Sequence, residues 1–231
     1  MIVSIHQPNY LPWLGFFNKM ARSDVFVIFD DVQLVRGKSY VTRNKVKTAN
    51  GAQWLTVPAK GKGELAPIMD TLIAQDGRWQ KKHWKTIQLS YKKAPYFDKY
   101  EAQFSQIYGA SWEKVSDLNV SLIKVIKDMM GIKATLILSS EMNIEASGTE
   151  KIMSIVRELK ADQYITGEGE GSKRYIIEDE FNKNNIGLIY QHFKYPVYHQ
   201  LWGDFVPNLS AIDLLMNEGE RSLDILLGGH S

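Results

Sequence analysis

Ser4-Ile5-His6-Gln7-Pro8-Asn9-Tyr10-Leu11-Pro12-Trp13-Leu14-Gly15-Phe16-Phe17 is the stretch whose reading decides the fold. Ahead of the turn, Ile2-Val3-Ser4-Ile5 is a short run rich in β-branched residues and reads as a buried strand. Pro8 and Pro12 each fix φ and remove a backbone donor, so His6, Gln7 and Tyr10 sit on a stiff turn. Trp13, Leu14, Phe16, Phe17 and Met20 then recur at helical spacing. Val25-Phe26-Val27-Ile28-Phe29 follows, a near-continuous apolar run of the kind covered on both faces of a parallel sheet. The order strand, polar turn, helix, strand predicts an α/β fold with a mostly parallel, Rossmann-like sheet flanked by helices. In such folds the loops at the carboxyl ends of strands bind ligands. His6, and Asp30, Asp31 and Gln33 after the second strand, are therefore candidate site residues.

Beyond that strand, Asn50-Gly51 between two alternating segments reads as a β-hairpin. Arg43, with Lys38, Lys45 and Lys47 nearby, gives a local positive excess, and its planar fork suits a phosphate or carboxylate. Lys60-Gly61-Lys62-Gly63 lacks Walker spacing and reads as a basic surface loop. From about residue 78 to 131 the apolar spacing is helical, which predicts an inserted helical layer whose last helix is capped by Ser111 and stopped by Gly131. Within it, His83 reads as a partly buried helix-face histidine. Alternation then returns, with strands at 134–138 and 163–166, a helix after Ser147, a helix at 175–182 and a strand at 186–190. Gly167-Glu168-Gly169-Glu170-Gly171 links a strand to a helix, and the amides at Gly167 and Gly169 are candidate anion donors, although the spacing is not the dinucleotide fingerprint. His192 to Gln200 reads as an aromatic wall of a pocket, with Tyr198 and Gln200 as ligand contacts. A capped helix over 208–219 puts Asp213 and Asn217 on one face. Without repeats or linkers, the 231 residues read as a single domain.

Composition bounds the chemistry. Eleven Tyr, nine Phe and six Trp supply both a core and the lining of a pocket, and they make a homodimer an option. The absence of cysteine removes disulfides, zinc thiolates and a Cys nucleophile, leaving His, Asp, Glu, Ser, Tyr or Lys for any group transfer. A net charge of +2 singles out neither nucleic acid nor membrane, and no metal site is expected from the histidine spacing. No apolar run approaches a membrane span, and the expected location is cytoplasmic.

His6-Gln7-Pro8-Asn9-Tyr10-Leu11-Pro12-Trp13 with Gly15-Phe16-Phe17, Asp30-Asp31-Val32-Gln33, Arg43-Asn44, Trp54-Leu55-Thr56-Val57-Pro58 and Leu209-Ser210 through Asn217-Glu218-Gly219 resembles the WbqC-like family nearly end to end. The resemblance implies a role in bacterial surface polysaccharide (O-antigen) biosynthesis. The activity it implies is N-acylation or N-aminoacylation of a nucleotide-linked amino sugar from a carrier-protein thioester. No cofactor is required, and the phosphopantetheine of the acyl or aminoacyl carrier protein is the expected donor arm. For that chemistry His6 is the general base, Asp30 or Asp31 orients it, and Gln7, Asn44 or Tyr10 donates to the oxyanion, with Arg43 on the diphosphate. Two other classes stay open. An adenylyl-transferring enzyme shares the strand, His turn and helix but carries a second histidine where this chain has Asn9. A non-catalytic sugar-binding module is the other.

Overall fold

The computed structural model describes residues 1–35, 37, 39–60, 66–74 and 78–228; Lys38 and the Gly61-Lys62-Gly63 part of the expected basic loop lie outside them. Strands β1 (Ile2–His6), β2 (Val25–Ile28), β5 (Thr135–Leu138), β6 (Gln163–Gly167) and β7 (Gly187–Gln191) form one sheet in the order β5-β2-β1-β6-β7. Every pair in it is parallel. A separate antiparallel pair, β3 (Arg43–Thr48) with β4 (Gly51–Thr56), is the hairpin expected at Asn50-Gly51.

Helices cover both faces. On one side lie α1 (Leu14–Ala21), the block α2 (Arg78–Tyr91), α3 (Phe97–Gly109) and α4 (Val115–Met129), and later α8 (Ile212–Glu218) and α9 (Ser222–Leu226). On the other lie α5 (Gly148–Glu158) and α7 (Glu178–Lys183), with the single turn α6 (Glu170–Lys173) after β6. The period-two rule sorts β1 between them: Val3 and Ile5 pack with Ile155, Val156 and Phe181, while His6 meets the edge of Phe16 at 4.9 Å. Each fully buried Phe on the α1 side, such as Phe16 or Phe26, contributes roughly 1.5–3 kcal/mol of hydrophobic burial.

Helix ends differ from the sequence reading where backbone pairing takes over. The helix expected to be capped by Ser111 starts at Val115, because Lys114 pairs with Leu72 and Ile73 donates to the Glu113 carbonyl, holding 113–114 extended. The helix expected from 208 starts at Ile212, because Ser210 donates to Lys45 and bridges Trp13 while Ala211 donates to Pro12. Gly131 does stop α4, in the left-handed region with φ +72°. Gly219 ends α8 at φ +55°, and a Cβ there would lie 2.2 Å from the Tyr96 ring.

The Pro8 to Pro12 turn is buried, so its carbonyls need partners. Asn119 of α4 donates from one Nδ2 to both Pro8 and Val41 at 2.8 Å. Asn44 of β3 donates to Leu11 at 2.6 Å, and the Ala211 amide takes Pro12 at 2.8 Å. Leu11 is held at φ +43°, a left-handed conformation that a leucine keeps only when its surroundings impose it. Replacing Asn119 with Ala strands two buried carbonyls at once. The expected loss is about 2–4 kcal/mol of unfolding free energy, measured by urea denaturation.

Candidate ligand site at the sheet switch point

The chain runs from β1 outward through β2 to β5, then returns to the other side of β1 for β6 and β7. Loops leaving β1 and β6 therefore diverge in opposite directions, which makes this the switch point, the place where α/β sheets bind ligands outside their carboxyl ends. The pairing shows the split directly. β1 pairs with β2 as far as His6↔Ile28, and β6 with β7 as far as Gly167↔Gln191, but β1 with β6 only as far as Ser4↔Ile165.

His6 stands at this split. Its Nδ1 lies 2.9 Å from the Gln7 carbonyl, and since a carbonyl only accepts, Nδ1 carries the hydrogen and Nε2 keeps its lone pair. Burial, reinforced by the positive charge of Lys19, lowers the imidazole to about 3, so the ring is neutral at physiological pH. Among the described residues the side-chain amides of Gln7 and Asn9 have no hydrogen-bond partner, although Asn9 is only 5% exposed. Most of the turn's backbone is paired internally, and the side-chain amides of Gln7 and Asn9 are not.

Several expected contacts have other duties. No hydrogen bond joins His6 to Asp30 or Asp31 among the described residues, so neither carboxylate orients it; the Gln7 carbonyl does. Asp30 accepts from Ser139 Oγ, Ser140 N and Ser140 Oγ, and Asp31 from Ser139 Oγ and the Lys151 ammonium, a closed network tying β2 to the segment after β5. Tyr10 is fully buried, its hydroxyl 2.8 Å from His83 Nδ1 and 2.6 Å from Tyr108, so it is not available to an oxyanion. Asn44 is consumed by Leu11 and the Lys45 amide. The Tyr198 hydroxyl donates to Asp213, which also accepts from Tyr91, and Gln200 clamps both backbone groups of Val206. Burial raises Asp213 to about 6.

The remaining candidates border the site or stand apart from it. Gly167 ends β6 across the split, while Gly169 is exposed before a helix of a single turn, too short for much dipole. Glu168 pairs with His192 at 2.9 Å. Gln33 is exposed, its backbone bridged to Pro67. The Arg43 guanidinium lies 4.0 Å from the Trp54 ring centroid, with no carboxylate partner among the described residues. The aromatic wall exists: residues 192–199 line a groove of about 580 Å³ with Asn18, Arg22 and Ile225, and His6 is not part of that lining. Asn9 and Lys19 are candidates that the structure adds and the sequence reading lacks. For Lys19 the available signal was a lysine amid the apolar residues of α1.

This arrangement defines a Rossmann-like α/β protein with a candidate ligand site at the switch point of its sheet. The chain belongs to the WbqC-like protein family, whose model matches residues 7–225. It is similar to a Mycobacterium tuberculosis protein named "Uncharacterized protein Rv1507c", 34% identical over 228 residues that cover 97% of this chain and 96% of the relative. No solved structure matches it. Among the described residues, no helix is long and apolar enough to cross a membrane.

Two predictions test the site. The folded pKa of His6 lies below that of the free residue, so from pH 6.5 down to about 3 the unfolded chain binds a proton that the fold refuses, and stability is lost as pH falls. His83 acts in the same direction down to about 4, while Asp213 opposes them, losing stability as pH rises from 3.8 to about 6. Proton NMR should show the His6 ring unshifted between pH 5 and 8, and His6→Gln should unfold at a lower pH than the wild type; a ring that titrates near its ordinary value contradicts this reading. Tyr10→Phe should cost about 1–2 kcal/mol of stability. It should leave ligand affinity unchanged, as read by calorimetry.

Proposed function

We propose that the protein is a transferase that acylates or aminoacylates the amino group of a nucleotide-linked amino sugar, with a carrier-protein thioester as donor. The observation that carries this reading is a set of unpaired polar groups, His6 Nε2 and the side-chain amides of Gln7 and Asn9, on a rigid turn that follows β1 at the sheet's switch point. Membership of the WbqC-like family supports it. Sheets of this kind take nucleotides at their switch points, and Gly167 ends β6, the strand from which β1 parts.

In the proposed step the neutral amine of the sugar attacks the thioester carbonyl carbon. The new N–C bond leaves the nitrogen cationic and acidic, so even a weakly basic imidazole can take its proton at Nε2. The C–S bond then breaks, and the departing thiolate takes that proton back from His6, giving an amide and a free carrier thiol. Gln7 and Asn9 offer N–H donors to the oxyanion that forms between the two events. Asp30 and Asp31 have a supporting part only, holding the neighbouring strand ends.

The sheet order and a neutral histidine at the end of β1 also favour a second reading, adenylyl transfer from ATP, which releases pyrophosphate. Mass spectrometry of amino-sugar nucleotides incubated with protein and charged carrier proteins separates the two. The expected result is an acyl mass gain on the sugar that falls by about 10²-fold or more in His6→Ala with the fold retained. No gain together with ATP-dependent pyrophosphate release selects adenylyl transfer, and a gain undiminished in His6→Ala removes the base assignment.

A further inference from the structure

Lys19 has no structural need for its charge. It lies on α1, all of whose residues from Leu14 to Met20 are buried, and is itself 4% exposed. A lysine so placed is ordinarily paired with a carboxylate, yet among the described residues no acid pairs with it. Among the described residues Nζ donates to the Ile5 carbonyl alone, at 3.0 Å. That carbonyl marks the place. His6, the next residue, turns its carbonyl toward β2, where Phe29 donates to it, so Ile5 turns toward β6. There the β1 with β6 ladder has already ended at Ser4↔Ile165, and Lys19 fills the gap where a strand would have paired.

An apolar helix residue with a neighbouring Ser or Asn could satisfy one carbonyl without bringing an ammonium into the core. Lys19 brings two further N–H donors and a positive charge to the point where the sheet opens, close enough to His6 to act on its charge state. Burial lowers the ammonium to about 7, so near neutral pH its charge is poised to be drawn out by an anion.

We propose that Lys19 is an anion-holding residue of the switch-point site, where its ammonium binds a phosphoryl oxygen of the diphosphate in a nucleotide-linked substrate. This rests on the nucleotide-linked substrate proposed above. The bound anion would also offset the like charge that Lys19 presents to His6, coupling occupancy of the site to the basicity of its imidazole.

Inorganic pyrophosphate is the first probe, titrated by calorimetry at fixed ionic strength into wild type, Lys19→Met, Lys19→Arg, Arg43→Ala and the surface control Lys124→Met. Affinity should fall at least about tenfold in Lys19→Met and stay within about threefold in Lys19→Arg and Lys124→Met. Equal affinity in wild type and Lys19→Met, loss only in Arg43→Ala, or no binding to wild type each overturns the proposal. Uridine diphosphate separates this from the substrate reading. Binding that Lys19→Met leaves intact ends the role of Lys19 and keeps the nucleotide, whereas Lys19-dependent pyrophosphate binding with no affinity for the nucleotide does the reverse. Circular dichroism checks that Lys19→Met folds. Should it not, a wild-type crystal grown with pyrophosphate decides: density within hydrogen-bond reach of Nζ supports the assignment, and pyrophosphate anywhere else overturns it.

Discussion

Three buried carbonyls, those of Pro8, Leu11 and Pro12, organise the molecule around one turn. Burial of an unpaired carbonyl is costly, so each must find a donor, and prolines at both ends of the turn rule out the helix or ladder that would supply one locally. The donors come from far along the chain: Asn119 in the helical layer, Asn44 in the hairpin and the Ala211 amide before α8. Helical block, hairpin and C-terminal segment are thereby locked to the end of β1. The turn, in exchange, is rigid enough to hold Gln7 and Asn9 without spending their side chains on its own support, and it takes only Nδ1 of His6.

Buried polar groups in this fold fall into closed and open sets. The Asp30, Asp31, Ser139, Ser140 and Lys151 network is closed, with every carboxylate facing hydroxyl, amide or ammonium donors. The Asp213, Tyr91 and Tyr198 group and the Tyr10, His83 and Tyr108 chain are closed as well. Closed networks specify a unique packing but offer little to a ligand. Asn119 Oδ1, Asn217 Oδ1 and four hydroxyls are buried without a partner elsewhere among the described residues, but at the end of β1 the unpaired groups gather: His6 Nε2 and the amides of Gln7 and Asn9, with the Lys19 ammonium held only by the Ile5 carbonyl. This gathering is what marks the end of β1 as the candidate site.

Much of the architecture was legible because it rests on local patterns. Continuous apolar runs such as Val25 to Phe29 declare a strand covered on both faces, and Asn50-Gly51 declares a hairpin, without reference to the rest of the chain. The site was legible only in part. His6 and Gln7 could be singled out, since two prolines fix their turn whatever surrounds it. Tyr10 and Asn44 looked equally chemical, but a hydroxyl or amide reveals nothing in sequence about whether a distant partner has already claimed it. Asp30 and Asp31 were placed at the correct strand end and given the wrong partner for the same reason. Lys19 was overlooked because the pattern that makes a helix apolar says nothing of where a single charge inside it will emerge.

By itself, then, the sequence determined the alternation of strands and helices, the stiff polar turn after β1 and the family to which the chain belongs. Those properties depend on residues close together in the chain, through propensity, periodicity and fixed φ. The tertiary structure decided the strand order, the early end of the β1 with β6 ladder, and the division of polar side chains between internal partners and the site. Hydrogen bonds and burial across a hundred or more residues set these, and only the folded chain brings such residues together.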